Sequence, residues 1–122
     1  MELHDIGLGR IIKLSGDTAE VIAAEGVEVD MPMVEEYHEW IAGHLADPAF
    51  LLINRVNAYS YTFEAEQKIG SLDQVHAIAV LVYNRVSEMT ADYMISLPRK
   101  LPWNVRIFHD RDAAIEWLET QH

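Results

Sequence analysis

The amino-acid sequence predicts an α/β fold in which helices pack on a mixed, mostly parallel sheet. The predicted strand 50–56 opens with the apolar run 50–53, and residues 77–83 are a continuous apolar run of the kind found in strands that are covered on both faces of a parallel sheet. A segment with helical spacing separates them, as a crossover between parallel strands requires. Near the N-terminus, two short β segments around a turn predict an antiparallel hairpin.

The N-terminal half of the chain supplies this hairpin and the first helix. Residues 6–14 and 19–24 are its predicted strands, and residues 27–29 are predicted to extend the second strand. Asp30 is a residue type that caps helix N-termini, and the helical spacing after it should end near Pro48 because the residue before a proline disfavours helix.

The C-terminal half continues the alternation of strands and helices. A helix is predicted over residues 62–69, Ser87 is predicted to cap the third helix, residues 105–108 form the last strand, and Asp110 caps the last helix. The predicted order is therefore β-β-α-β-α-β-α-β-α. A length of 122 residues favours a single domain over the whole chain, 1–122.

The composition narrows the classes of partner. The chain carries 20 acidic and 9 basic residues, with a formal charge of −11, which argues against nucleic acid and against anionic membrane surfaces. No apolar run approaches the roughly 20 residues of a membrane-spanning helix, so we expect no membrane insertion. The absence of cysteine and of a signal-peptide pattern favours a cytoplasmic protein.

The C-terminal segment carries a family resemblance. Residues 105–118 read Val-Arg-Ile-Phe-His-Asp-Arg-Asp-Ala-Ala-Ile-Glu-Trp-Leu, a strand that runs into an acidic helix with an Ala-x-x-Trp-Leu stripe. Together with the element order, this segment resembles an uncharacterised branch of the SpoIIAA-like, or STAS, domains, which are similar to anti-sigma-factor antagonists. The resemblance implies a mixed sheet with four helices and a non-enzymatic protein-interaction or regulatory module.

The start of the second helix departs from the pattern of that family. Members that act as partner switches carry an Asp-Ser-x-Gly-like turn there, and a partner kinase phosphorylates its serine. Residues 57–63 occupy this place and lack the Asp and the Gly. The module that the resemblance implies therefore lacks the usual phospho-switch motif. Ser60 and Thr62 are the hydroxyl residues that remain there as possible phospho-acceptors.

Two Asn-Arg pairs suggest an alternative function. Asn54-Arg55 and Asn84-Arg85 each follow an apolar run, and their separation is about that of one βαβ unit. In a parallel sheet both pairs lie at the same edge, where α/β proteins bind ligands, and Arg suits carboxylate or phosphate. The alternative is thus binding of a small anionic or amphipathic ligand in that crevice. The competing interpretation is structural, with both Asn in turns and both Arg paired to surface acids.

The loop after residues 50–56 adds hydroxyl groups and aromatic rings to this candidate crevice. A helix N-terminus attracts anions through its free N–H groups, whereas a Ser or Thr there also serves simply as a helix cap. The complete set of candidate ligand or partner residues is Asn54, Arg55, Asn57, Tyr59, Ser60, Thr62, Asn84 and Arg85.

The sequence predicts no catalytic residues, no metal site and no cofactor, and therefore no enzyme activity. It contains neither a Gly-x-Ser-x-Gly elbow nor a glycine-rich phosphate-binding motif. His38 and His44 are six positions apart and so do not share a helix face as metal ligands do.

An apolar strip near residue 100 has two interpretations. Met94, Leu97, Leu101 and Trp103 surround two prolines. They predict either an exposed surface for a protein partner or a homodimer, or a loop that folds back onto the core.

Overall fold

The computed structural model describes residues 2–96 and 104–122. Strands and helices alternate after an all-β start. The described strands are β1 (Glu2–Ile6), β2 (Gly9–Lys13), β3 (Thr18–Ala23), β4 (Glu28–Val29), β5 (Ala49–Asn54), β6 (Ser60–Tyr61), β7 (Val75–Leu81) and β8 (Val105–Phe108). The described helices are α1 (Met31–His44), α2 (Phe63–Lys68), α3 (Arg85–Ser96) and α4 (Arg111–Thr120).

Six strands form the central sheet, in the order β1-β2-β3-β5-β7-β8. The first two pairings are antiparallel, and the pairings from β3 through β5 and β7 to β8 are parallel. The predicted α/β class with a mixed, mostly parallel sheet is therefore confirmed. The parallel pairing of the two apolar runs is confirmed as well, since Leu51 lies opposite Ile78 and Ile53 lies opposite Val80.

The N-terminal hairpin contains a strand that the sequence did not predict. β1 pairs with β2 before β2 pairs with β3, so the predicted strand 6–14 is broken by a turn at Gly7 and Leu8. β1 is an edge strand with mostly exposed, polar residues. Its sequence therefore lacks the apolar alternation that predicts a strand. Gly9 (φ +154°) is required, because a Cβ there would lie 2.3 Å from the carbonyl oxygen of Ile22.

The prediction that residues 27–29 extend the second strand of the hairpin is wrong. The chain turns at Gly26, which has φ +77°, and β4 then pairs in parallel with β6 in a separate two-stranded sheet. The carbonyl oxygens of Val27 and Val29 accept hydrogen bonds from the N–H groups of Ser60 and Thr62, at 3.0 and 2.9 Å. This small sheet fixes the course of the loop that follows β5.

Helix caps explain where most helices begin. The side chains of Asp30 and Asp110 accept hydrogen bonds from the N–H groups three residues later, as predicted. The prediction for Ser87 is wrong. α3 begins at Arg85, and the Oδ1 atom of Asn84 accepts from the N–H of Ser87 at 2.9 Å, so Asn84 holds the capping position.

The two faces of the sheet are packed by different helices. On the α1 face, Leu51, Ile53, Ile78 and Val80 meet residues of α1, α2 and α3. On the α4 face, the core consists of α4 and the alternate strand residues, Phe50, Leu52, Ala77, Ala79, Leu81, Ala114 and Leu118. Both faces are covered by helices, as the continuous apolar runs predicted.

Within residues 2–96 and 104–122, no helix has the length and apolar character needed to cross a membrane. The apolar strip predicted around Trp103 lies outside the described residues, apart from Met94, which is buried on α3.

Candidate functional site

The candidate site begins where β5 ends. β5 stops at Asn54, two residues before the predicted end of the strand at residue 56. Because side chains alternate along a strand, Asn54 and Arg55 project toward opposite faces of the sheet. The two adjacent polar residues therefore enter two different environments.

Asn54 belongs to a polar network on the α4 face through its Nδ2 atom, whereas its buried Oδ1 atom has no hydrogen-bond partner in the described part of the chain. Its Nδ2 atom donates to Oε2 of Glu20 at 2.8 Å, and Nη2 of Arg111 donates to Oε1 of the same carboxylate at 2.6 Å. Glu20 is only 4% exposed. Its hydrogen bond to Arg111 raises the pKa of the guanidinium above its ordinary value. This network satisfies a buried carboxylate and ties α4 to β3 and β5.

Arg55 lies on the α1 face and is buried without a counter-ion. Its side chain is packed against Tyr59: Nη1 donates to the Tyr59 hydroxyl at 3.0 Å, and Cζ lies 4.4 Å from the centroid of the ring. The residue is 6% exposed. In the described part of the chain, its buried Nε atom has no hydrogen-bond partner.

No acidic side chain neutralises this guanidinium among the described residues, whose ion pairs all join other groups. Residues 97–103 contain no Asp or Glu. Withdrawing an unpaired charge from water costs several kcal/mol. A cation–π contact of about 0.5–2 kcal/mol with Tyr59 offsets only part of this cost.

Arg55 borders an apolar cavity of about 70 Å³ between the sheet and α3. The cavity exists because α3 buries only Ala91 and Met94, and Ala91 is too small to fill the space above the strands. The lining residues come from α1 and α3, from the turn after α2 and from the strands and loop beneath them: Tyr37, Ile53, Arg55, Tyr61, Ile69, Gly70, Ile78, Val80, Ala91, Met94, Ile95 and Val105.

The electrostatic character of this cavity is set by Arg55. Burial raises the pKa of Tyr37, which lines the cavity, above its ordinary value, and burial also raises the pKa of Tyr59 well above it. Both phenols therefore stay neutral near pH 7. The guanidinium is the only charged group among the described lining residues.

The loop after Arg55 is held in place by hydrogen bonds to the segment before α1. Nδ2 of Asn57 donates to the carbonyl oxygen of Ala23 at 3.0 Å, and the N–H of Ala58 donates to a carboxylate oxygen of Glu25 at 2.8 Å. Tyr59 is further packed edge-on against Tyr61, with ring centroids 5.7 Å apart. These contacts fix the position of the Tyr59 ring against Arg55.

The remaining predicted site residues lie elsewhere. Ser60 is exposed in β6, and the hydroxyl of Thr62 accepts from the N–H of Ala65 at 3.2 Å as the cap of α2. Asn84 caps α3, and Arg85 is exposed on its first turn. The eight predicted residues thus do not form one crevice, since Arg55 alone among them lines the cavity and Tyr59 lies behind it.

Sequence reasoning missed several residues on which both environments depend. Glu20 and Arg111 complete the network of Asn54, and Tyr37 lines the cavity. One signal was available: Glu20 is a charge inside an otherwise apolar β segment, which indicates a buried partner. Tyr37 gave no such signal, because it matches the apolar stripe of α1.

Comparison of the chain with protein-family models, with curated proteins and with solved structures gives no match. The resemblance to SpoIIAA-like domains therefore stays a prediction from the C-terminal segment and the element order.

Replacement of Arg111 by Met should lower the free energy of unfolding by roughly 1–3 kcal/mol, because it leaves the buried Glu20 carboxylate short of a partner. In a double-mutant cycle, Glu20→Gln combined with Arg111→Met should cost less than the sum of the single changes. The matched control is Arg10→Met, which removes an exposed ion pair with Asp5 and should change stability by less than about 1 kcal/mol. Additive losses in denaturant melts would contradict the network.

Alkaline titration should show Tyr37 and Tyr59 ionising only as the protein unfolds. Their raised pKa values mean that the folded state holds these protons more tightly than the unfolded state, so the stabilisation is complete below the ordinary pKa of 10.0 and is lost as pH rises through the folded pKa values. Phenolate absorbance and circular dichroism should therefore change together at high pH. The amplitude of this absorbance change should be smaller in Tyr59→Phe, which has one buried phenol fewer. Full ionisation of all five tyrosines with an unchanged dichroism spectrum would refute this.

Proposed function

We propose that this protein binds a small amphipathic molecule in the cavity beside Arg55. The apolar part of the ligand lies between the sheet and α3, and a hydrogen-bond-accepting head group meets the guanidinium. The single observation that carries the proposal is the buried Arg55 side chain, which has an unpartnered Nε and no acidic partner among the described residues.

The composition of the cavity supports this function. Ligand sites combine apolar walls with a few polar groups that fix the orientation of the ligand, and in α/β proteins they lie near the carboxyl ends of parallel strands. Here aliphatic side chains supply most of the wall, and Arg55 follows the carboxyl end of β5 directly. A hydrogen-bond acceptor on the ligand gives the guanidinium of Arg55 a further partner. This bond offsets part of the free energy that burial of the charge costs.

A structural role for Arg55 is the rival interpretation, since the residue also holds Tyr59. The two roles differ in what happens when the charge is removed. Burial of an unpaired charge costs several kcal/mol, and an apolar side chain of similar volume in its place removes this cost without leaving a partner charge behind. A buried charge that is needed for binding lowers the free energy of unfolding of the protein without its ligand.

Arg55→Met should therefore leave the melting temperature unchanged or raise it, whereas Arg111→Met should lower it. In nuclear magnetic resonance titrations, small amphipathic probes should shift the signals of Ile53, Ile78 and Val80 in the wild-type protein. These shifts should weaken in Arg55→Met. A large loss of stability in Arg55→Met would support the structural role of the residue, and the absence of any shift with acids, amides and alcohols alike would contradict the proposal.

A second candidate function is protein interaction, which the resemblance to SpoIIAA-like modules implies and a specific surface favours. Val86, Met89 and Tyr93 recur at helical spacing on α3 and are 57–74% exposed. The charge of Glu66 on α2 and its hydrogen bond raise the pKa of Tyr93, and α2 also carries Phe63, which is 80% exposed. Exposed apolar side chains so grouped are typical of partner surfaces.

Acidic side chains flank the α3 stripe. Glu88 and Asp92 lie on the same helix and Glu64 follows Phe63, so the surface suits an apolar partner segment with basic residues at its rim. A second copy of the chain is the other partner to consider. Ser60, exposed in β6, remains a predicted phospho-acceptor of such a module.

If the stripe mediates self-association, sedimentation at micromolar concentration should show a species heavier than the 13.9 kDa chain. Met89→Lys should return it to the monomer, because it places a charge in the centre of the apolar surface. The control is Leu3→Lys, which changes an exposed apolar residue on β1, at the opposite edge of the sheet from β8. A wild-type monomer at every concentration would exclude the homodimer.

A further inference from the structure

We propose that the head group recognised by Arg55 is a single carboxylate, and that the ligand is a short-chain acid of about four or five carbon atoms. This inference rests on the proposed binding function and adds the chemical class of the ligand. It follows from the charge of the cavity, the donors that Arg55 leaves unused, and the volume of the space.

The described lining residues carry a net charge that one negative charge neutralises. The guanidinium supplies one positive charge, and the other described lining residues are apolar or neutral. A phosphate monoester carries between one and two negative charges near neutral pH, and the excess would be withdrawn from water without compensation. A carboxylate neutralises the guanidinium and leaves no excess.

The unused donors of Arg55 match the shape of a carboxylate. Nη1 is engaged by the Tyr59 hydroxyl, and one face of the guanidinium is covered by the Tyr59 ring. Nε has no hydrogen-bond partner in the described part of the chain. The two N–H groups along one edge of a guanidinium are parallel, a geometry that fits the two oxygens of one carboxylate.

The volume limits the apolar part of the ligand. A water-sized group needs roughly 10–15 Å³ in this measure, so about 70 Å³ accommodates about five to seven such groups. Butyrate and pentanoate contain six and seven non-hydrogen atoms, which is about this size. Ile53, Ile78, Val80 and Met94 provide the aliphatic surroundings that an alkyl chain requires.

The test compares the affinity of the protein for pentanoate with its affinity for the neutral counterpart pentanamide and for butyl phosphate. The affinities are measured by isothermal titration calorimetry and by nuclear magnetic resonance titration. Pentanoate should bind roughly tenfold to a hundredfold more tightly than pentanamide, as expected for charge-assisted hydrogen bonds to a buried guanidinium. Butyl phosphate should bind more weakly than pentanoate.

Three variants connect the preference to the cavity. Arg55→Met should abolish the preference for the acid over the amide. Arg85→Met should preserve it, because Arg85 is an exposed arginine that does not line the cavity. Ala91→Leu fills the space under α3 while keeping Arg55, and should weaken the binding of both pentanoate and pentanamide.

The outcomes separate this inference from the function on which it rests. Equal affinities for pentanoate and pentanamide in the wild-type protein, or tighter binding of butyl phosphate, would overturn the carboxylate assignment while the binding function stands. Failure of all three compounds to perturb the cavity residues would overturn both. Should Arg55→Met fail to fold, the comparison of acid with amide in the wild-type protein and in Ala91→Leu decides the question.

Discussion

The alternation of side chains at the end of β5 is the constraint on which the rest of this site depends. Two polar residues in succession cannot share a face, so Asn54 is directed toward α4 and Arg55 toward α3. On the α4 face, Glu20 and Arg111 complete a hydrogen-bonded network across three elements. On the other face, only Tyr59 meets the guanidinium among the described residues. One strand end thus places Nδ2 of Asn54 in a hydrogen-bonded network with a carboxylate, and the guanidinium of Arg55 at a site without an acidic partner among the described residues.

The difference between the two faces comes from how well their helices fill them. α4 packs Ala114 and Leu118 on large strand residues such as Phe50 and Leu52. α3 presents the small Ala91 to Val80, which leaves the cavity open next to Arg55. A buried charge and an incompletely filled space in the same place are both unfavourable for stability. A ligand that fills the space and accepts from Arg55 removes both penalties at once.

The helix that roofs the cavity also carries the exposed apolar stripe. Met94 and Ala91 face inward, whereas Val86, Met89 and Tyr93 are exposed on the same helix. A helix that buries only two of its side chains has few contacts with the core, and elements of this kind adjust most readily on binding. The two candidate functions therefore meet at α3, although each rests on its own set of side chains.

By itself, the sequence determined the α/β class, the parallel pairing of its two apolar runs and the caps of α1 and α4, because apolar period, run length and capping chemistry are local properties. The sequence also predicted Arg55 as a candidate ligand-binding residue. The tertiary structure alone decided the β4–β6 sheet, the partners of Glu20 and the separation of Arg55 from Arg85. The partners of Glu20 lie 34 and 91 positions away, so their contact depends on strand register and helix placement, which no local pattern encodes. The cavity is likewise a property of packing, because it reflects what α3 leaves unfilled above strands from other parts of the chain.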